Sequence, residues 1–440
     1  MEIQNKLAEI EKVNQFLSVA EDSRKTNPSK AQEVCCDAIN LANEIGFKAG
    51  LAKAYLLYGI ICRQTSDYER AFQNCYKAKD VYCELGDLKG QSRSLNSIAN
   101  IHYDLSNYNK AISDFDACIE LLDKLDDKRF KAVVTTNKGL SYAESGDIDK
   151  ALACYYESMD IYDELKVKLP YPLLNNIGLA YQKLGDFKTS LLYLTDALKS
   201  EIDANNIPDQ SFTLANIGLN YLYIFDYANS ITYLTESLIL MRKLGNVQAE
   251  SRVFKDLSKA YSNMKCYPEA LKYGLRAMHY VKQTGDKSTF AEIMNQLGQI
   301  YMNLKDFVNA RKYFIESLET SISIGDKVNE TNNYINLAWL YYAFQDADSV
   351  LTYLNKAIRP AEERNSITHL HEIYYLFSKT CQTSGRYSEA TQYAEKKYLY
   401  EKKILELGEN NGFRQLSMAM ESIKQNGQKT GKEKYNFVYN

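Results

Sequence analysis

The chain has 440 residues, of which 45% are hydrophobic and 25% charged, with a net charge of −3. That balance excludes a wholly disordered chain, and it offers no global basic field for nucleic acid or an anionic membrane. Only 6 Pro and 20 Gly interrupt the sequence, so long helices can run.

The N-terminal segment, MEIQNKLAEIEKVNQ, carries charges where a signal peptide needs an apolar core. No run of 18 apolar residues occurs, so no transmembrane helix is expected. Nine Cys are scattered without a CxxC pair, which reads as reduced, mostly buried thiols in a cytoplasmic protein.

The body of the chain repeats one pattern. An anchor residue, usually the aromatic after Asp in a GDF-like turn, falls at Tyr68, Tyr108, Ile148, Phe187, Tyr227, Tyr267, Phe307, Ala347 and Tyr387. The step is 40 residues, with one step of 39. One period earlier lies Pro28, so about ten units are expected, the first and last degenerate. Three residues after the anchor the side chain is small in most units, as at Ala71, Ala111, Ala151, Ser190, Ser230, Ala270 and Ala310. Nine before it stand Gly59, Ala99, Gly139, Gly178, Gly218, Ser258, Gly298, Ala338 and Ser378. Small residues in two fixed columns mean that two helices approach closely there. A Tyr column, Tyr142 to Tyr341, lies six before the anchor and fills the space beside them. Apolar residues recur at helical spacing within a unit, as in Leu174, Ile177, Tyr181 and Leu184. Stops such as Leu85-Gly86-Asp87 and Ile324-Gly325-Asp326 suit a left-handed C-cap. Each unit therefore reads as two antiparallel helices joined by tight turns.

This pattern resembles the tetratricopeptide repeat, with its Gly or Ala on the first helix, a Tyr three residues later, a turn, and an Ala on the second helix. The match covers residues 50–345 and, more loosely, 10–405. The family's usual period is about 34, and the longer period here is similar to the variant in Pins-type adaptors, kinesin light chains and bacterial signalling proteins of the family. The resemblance implies an all-α, right-handed superhelical solenoid of antiparallel helix pairs whose first helices line a concave groove. The expected division is an N-terminal helical cap and degenerate first repeat over 1–48, the superhelix over 49–405, and a C-terminal capping helix with a disordered tail over 406–440. In the last segment, Phe413, Leu416 and Met420 are expected to cap the final repeat.

Eleven residues before the anchor one column stays polar: Asn137, Asn176, Asn216, Asp256, Gln296 and Asn336. It resembles the family's groove-facing Asn. A carboxamide can pair with both the C=O and the N–H of one peptide unit, so a row of them can hold an extended chain. The competing reading is that these amides bridge adjacent helices. Arg252, Lys255 and Lys259 share a helix face with the ladder and would bind an acidic side chain or a C-terminal carboxylate, with Asp256 as an internal partner in the alternative. Trp339, the only Trp, sits in a groove column with Tyr342 close by, and Phe212 and Tyr223 occupy groove columns further up. Two joints depart from the Gly stop: Val167–Pro172, which carries the deletion, and Asp203–Gln210.

Four His and the absence of P-loop, GxGxxG, GxSxG and HExxH patterns leave no case for an enzyme, a cofactor or a metal site. The function expected is a peptide- or protein-binding module that holds a partner segment in its groove. The alternative is a regulatory receptor, or the input domain of a bacterial signalling protein, whose superhelical pitch changes on binding a peptide, like the Rap-type receptors.

Overall fold

The computed structural model describes residues 2–24 and 26–406. Described residues with regular structure are all helical. The first helices run in pairs: α1 (Glu2–Ser23) with α2 (Pro28–Glu44), α3 (Lys48–Gln64) with α4 (Tyr68–Glu84), and α5 (Leu88–Asp104) with α6 (Tyr108–Leu125). Next come α7 (Lys128–Ser145) with α8 (Ile148–Glu164), then α9 (Tyr171–Lys183) and α10 (Phe187–Asp203). The series continues with α11 (Ile207–Tyr223) and α12 (Tyr227–Leu244), α13 (Val247–Asn263) and α14 (Tyr267–Thr284), and α15 (Lys287–Asn303) and α16 (Phe307–Ile324). The last are α17 (Lys327–Ala343) with α18 (Ala347–Glu363), and α19 (Ile367–Thr383) with α20 over 387–406. The chain divides into two compact units, Met1–Ser200 and Glu201–Asn440, each a solenoid of such pairs. The expected capping helix at Phe413 and the tail lie outside the described residues. No helix among the described residues is long and apolar enough to cross a membrane.

Local chemistry explains why each helix starts and stops where it does. The Asp of the GDF-like turn is an N-cap: Asp67, Asp147, Asp226, Asp306 and Asp346 each accept a backbone N–H three residues on. At the joints between pairs, Asp87, Asp127, Asn246, Asp286 and Asp326 cap the next first helix in the same way. Helices end on a left-handed residue. Gly86, Gly285 and Gly325 fill it as expected, with φ of +67°, +72° and +72°. Elsewhere Ser66, Lys265, Lys305 and even Phe225 (φ +64°) adopt the same conformation without glycine's freedom. At the joint carrying the deletion, Pro170 sits at the N-cap position in extended conformation, and α9 has only 13 residues.

The two small columns meet as expected. Ser258 Oγ donates to the Ala270 carbonyl at 2.7 Å, and Ser190 Oγ to the Gly178 carbonyl at 2.6 Å. A Cβ at Gly298 would lie 2.5 Å from the Phe314 ring, and one at Gly218 2.7 Å from Leu234 Cγ. The small residue thus faces a large one seven residues after the anchor. Where the first helix carries Ser258 instead of Gly, the second helix supplies Gly274, whose own Cβ would meet Ser258 Oγ at 3.0 Å. A third column, ten after the anchor, is also small. Its hydroxyls donate to their own first helix, Ser158 to the Ala132 carbonyl, Ser237 to that of Ser211 and Ser317 to that of Ala291, at 2.6–2.9 Å.

In the second unit α11 touches α13, α13 touches α15, α15 touches α17 and α17 touches α19. No such contact joins α12 to α14, α14 to α16 or α16 to α18 among the described residues. The first helices therefore crowd together on one side, the inner side of that unit, while the second helices splay apart on the outer side.

Candidate functional site

In the first unit the ladder residues Asn137 and Asn176 are half-buried on α7 and α9. Asn137 Nδ2 donates to Asn96 Oδ1 of α5, 41 residues back, at 3.4 Å. In the second unit Asn216, Asp256, Gln296 and Asn336 stand half-buried on α11, α13, α15 and α17. Gln296 Nε2 donates to the Lys255 carbonyl at 3.1 Å, and Asn336 Nδ2 to Asn295 Oδ1 at 3.3 Å. Both span 41 residues, so one rule governs three of the amides: each bonds the residue that stands twelve before the anchor in the preceding repeat. The bridging use weighed in the sequence is present at these positions. It occupies one donor of each amide and leaves the carbonyl and a second N–H available.

The bridge at Asn336 continues inward. Asn295 Nδ2 donates to Asn333 Oδ1 at 2.8 Å, and Asn333 Nδ2 donates to Ser317 Oγ at 2.7 Å and to the Asn329 carbonyl at 2.8 Å. Asn295 and Asn333 are buried, so this network satisfies polar groups that would otherwise be costly. Sequence reasoning missed both residues. The signal was an Asn in the minus-twelve column one repeat ahead of a ladder Asn, at Asn96 and Asn295.

The basic stripe does not act as one cationic patch. Lys255 Nζ lies 2.5 Å from Glu292 Oε2 on α15. Burial alone would lower the Lys255 ammonium, but the nearby charges of Asp256 and Glu292 outweigh it and raise its pKa. The geometric partner of Lys255 is therefore Glu292, where the sequence pointed to Asp256. Burial pushes the Asp256 carboxyl above the usual carboxylate range, while Lys255 and Lys259 pull it back. Lys259 is exposed and holds its ammonium 5.6 Å from the Tyr223 ring centroid of α11. Arg252 is exposed. Of the aromatics, Phe212 and Tyr223 are 44% and 42% exposed, against the general burial of rings in the core.

Trp339 belongs to a cluster that the sequence only half revealed. Its Nε1 donates to Glu372 Oε1 of α19 at 3.0 Å. Its ring meets Tyr342 edge to face at 5.8 Å and lies 6.3 Å from Tyr375. Lys379 Nζ sits over all three rings, 5.4 Å from Trp339, 5.1 Å from Tyr342 and 5.7 Å from Tyr375. The ring faces share the ammonium by cation–π attraction. Glu372, Tyr375 and Lys379 occupy the columns fifteen, twelve and eight before the anchor at Tyr387. Those are the columns of Arg252, Lys255 and Lys259, so extending the stripe by three repeats would have found them.

Titratable groups elsewhere serve packing. Burial raises the thiols of Cys35, Cys75 and Cys118 to about 12, so they stay protonated and unreactive. His369 is held by Ser366 Oγ at 2.7 Å and Asn332 Oδ1 at 2.9 Å, and burial lowers its pKa. Among the described residues no group of three His, Cys, Asp or Glu side chains is placed to hold a metal ion.

Two family models, each described as tetratricopeptide repeat, match the chain, one over residues 90–164 and 289–363 and the other over 171–201. No curated protein matches the sequence. Among solved structures, the apo form of the quorum sensor NprR from B. thuringiensis superposes with a TM-score of 0.58 at 14% identity, covering 78% of this chain and 99% of that one. The apo form of RapI gives 0.53 at 12% identity, over 63% and 99%. A signal-transduction ATPase of the STAND class with a tetratricopeptide repeat sensor, from Pyrococcus horikoshii, gives 0.55 at 16% identity, over 76% and 53%. At these identities the likeness is one of fold.

Proposed function

We propose, from the premise that this chain belongs to the tetratricopeptide-repeat superfamily, that it is a binding module whose first-helix face holds an extended segment of a partner protein or peptide. The role is binding rather than catalysis, in the cytoplasm, with residues 1–48 as helical cap and degenerate first repeat, 49–405 as the superhelix and 406–440 as a C-terminal capping helix and tail. In this reading the side-chain amides of the ladder meet the partner's backbone, at Asn137 and Asn176 in the first unit and at Asn216, Gln296 and Asn336 in the second, and at Asn137, Gln296 and Asn336 they do so through the carbonyl and the N–H that the bridge to the preceding repeat leaves over. The Trp339 cluster anchors a side chain, and an acidic feature of the partner is drawn to Lys379, Lys259 and Arg252. Asp256 and Lys255 keep the intervening surface close to neutral.

The observation that carries this reading is Lys379. Its ammonium is held by three rings, and no carboxylate lies within ion-pair distance of it among the described residues. A positioned, uncompensated cation beside half-exposed aromatics is a ready receptor for a carboxylate.

The test uses Trp339, the only Trp beside 36 Tyr, excited selectively at the red edge of tyrosine absorption. Segments captured from source lysate are made as synthetic peptides and titrated against the wild type and Lys379→Gln. A peptide that shifts Trp339 emission should lose affinity by about tenfold in Lys379→Gln, the scale of one charged hydrogen bond. Equal affinity and an unmoved emission spectrum would remove the aromatic cluster from the reading.

A second reading is favoured by the superposition along 99% of the quorum sensor NprR. Here the array is itself the receptor and changes pitch on binding a peptide. Small-angle scattering separates the two: a holder keeps its radius of gyration when peptide is added, and a receptor of this kind compacts.

A further inference from the structure

The outer side of the second unit carries a cavity that the inner-face reading leaves unused. It has a volume of about 510 Å³ and is lined by Arg242 of α12, Phe254 of α13, and Leu275, Arg276, His279 and Tyr280 of α14. It lies where α12 and α14 splay apart, with α13 beneath. Phe254, fully buried, forms the floor and stacks on Tyr280 with centroids 5.6 Å apart and planes at 14°. The guanidinium carbons of Arg242 and Arg276 lie 5.5 Å and 6.0 Å from the centroid of that same ring.

Two guanidinium groups thus converge on one aromatic floor from two different helices. A carboxylate pairs with Arg242 alone: Glu250, buried on α13, whose Oε2 is 3.4 Å from Arg242 Nε. Arg276 makes no ion pair among the described residues, so two positive charges share one negative charge. Like charges brought near one another repel, and the repulsion is relieved when an anion enters. A guanidinium laid against a ring spends its face on the ring and keeps its in-plane N–H groups for an oxyanion. Glu250 engages Nε of Arg242, which leaves that residue's terminal N–H groups free to do the same. His279 sits beside Tyr280 at 5.7 Å, edge to face, and its Nε2 lies 3.1 Å from Gln283 Nε2. With the Gln283 amide donating, the imidazole proton is on Nδ1, a further donor at the rim. Leu275 and Tyr280 supply apolar wall above the buried Phe254 ring, and the volume is that of a small-molecule or single side-chain site.

We propose that this cleft binds an oxyanion carried on an aromatic or apolar group, with Arg242 and Arg276 gripping the anion and the Tyr280 and Leu275 side chains taking the apolar part. A carboxylate and a phosphoryl group share this chemistry, and either could reach the cleft on a metabolite or on a partner's side chain. The site is on the opposite side of the helix pairs from the ladder and Trp339, and it stands whether or not the inner-face reading holds.

The experiment is calorimetric titration of the full chain with phenyl phosphate, benzoate and inorganic phosphate. At least one of the two aryl anions should bind, more tightly than inorganic phosphate, and the tighter of the two identifies the preferred oxyanion. Arg276→Gln removes a side chain with no ion pair to lose, so the fold should survive, and its affinity should fall by about tenfold. Arg276→Lys keeps the charge without the planar fork and should fall in between. No binding of either aryl anion by the wild type, or equal binding by wild type and Arg276→Gln, would overturn the proposal. Inorganic phosphate binding as tightly as phenyl phosphate would overturn the role of the Tyr280 and Leu275 walls.

Discussion

The face of α15 that meets α16 and the face that meets neither α16 nor the core obey different rules. On the first, Gly298 admits the Phe314 ring, and the same small-against-large exchange recurs at Gly218 with Leu234 and Gly139 with Tyr155. On the second, Glu292 and Gln296 each serve one local need, an ion pair with Lys255 and a bond to its carbonyl. In the next repeats that face carries Asn336 and Trp339, and then Glu372, Tyr375 and Lys379. The seam is written nearly the same way in every unit because close packing tolerates few alternatives. The inner face varies because only pairwise contacts across repeats constrain it, and variation is what recognition requires.

The largest effect should come from forcing the seam. Gly298→Val places methyl groups where the Phe314 ring lies, and should cost about 3 kcal/mol, the upper range of overpacking. Thermal or urea unfolding would register it, and Phe314→Ala in the same chain should restore part of the loss. A double variant no more stable than Gly298→Val would break the contrast, since the seam would then not be the source of the penalty.

A smaller effect is expected where the two faces are joined. Asn333 is fully buried, bonds Ser317 on α16 and receives Asn295 from α15. Asn333→Ala leaves the buried Asn295 Nδ2 without its acceptor, while Ser317 keeps its bond to the Ala291 carbonyl, and should cost about 2 kcal/mol, the penalty of an unsatisfied buried polar group. Asn336→Ala, at the half-buried end of the same chain of amides, should change stability far less. Hydrogen exchange of α15 and α17 amides would compare the two directly.

The smallest effect sits on the inner face and shows as a slope with pH. Burial raises the Asp256 carboxyl above its unfolded value. A carboxyl of that kind binds its proton more tightly folded than unfolded, so its contribution is present at low pH and lost as pH rises through the folded value. The window opens near the ordinary carboxylate range, about pH 4, and extends upward. Asp256→Asn should flatten the fall in melting temperature over that window, by comparison with the wild type. A slope unchanged by the substitution would mean that the cations around Asp256 already compensate its burial.

Much of the scaffold was legible from residues alone. The 40-residue step, the two small columns and the Gly stops each translate into one backbone or packing requirement, and each is met at the residues named. The column ten after the anchor escaped notice, since its Ala, Cys and Ser look alike only when their shared contact with the first helix is seen. The candidate site was legible as a set of positions and not as a set of partners. Asn137, Gln296 and Asn336 stood out, but their bonds to the preceding repeat did not. Lys255 stood out as a cation, but Glu292, which cancels it, did not.

By itself the sequence determined the paired helices, their caps, their left-handed ends and the close seam, because those depend on short-range sterics and hydrogen bonds that recur with the period. Only the tertiary structure decided which charges are spent and which remain. Lys255 lies against Glu292, Lys379 lies on three rings, and Arg242 and Arg276 converge on Phe254. Charge interactions depend on distances of a few ångströms between side chains 30 to 40 residues apart or on different pairs, and a period specifies columns, not those distances.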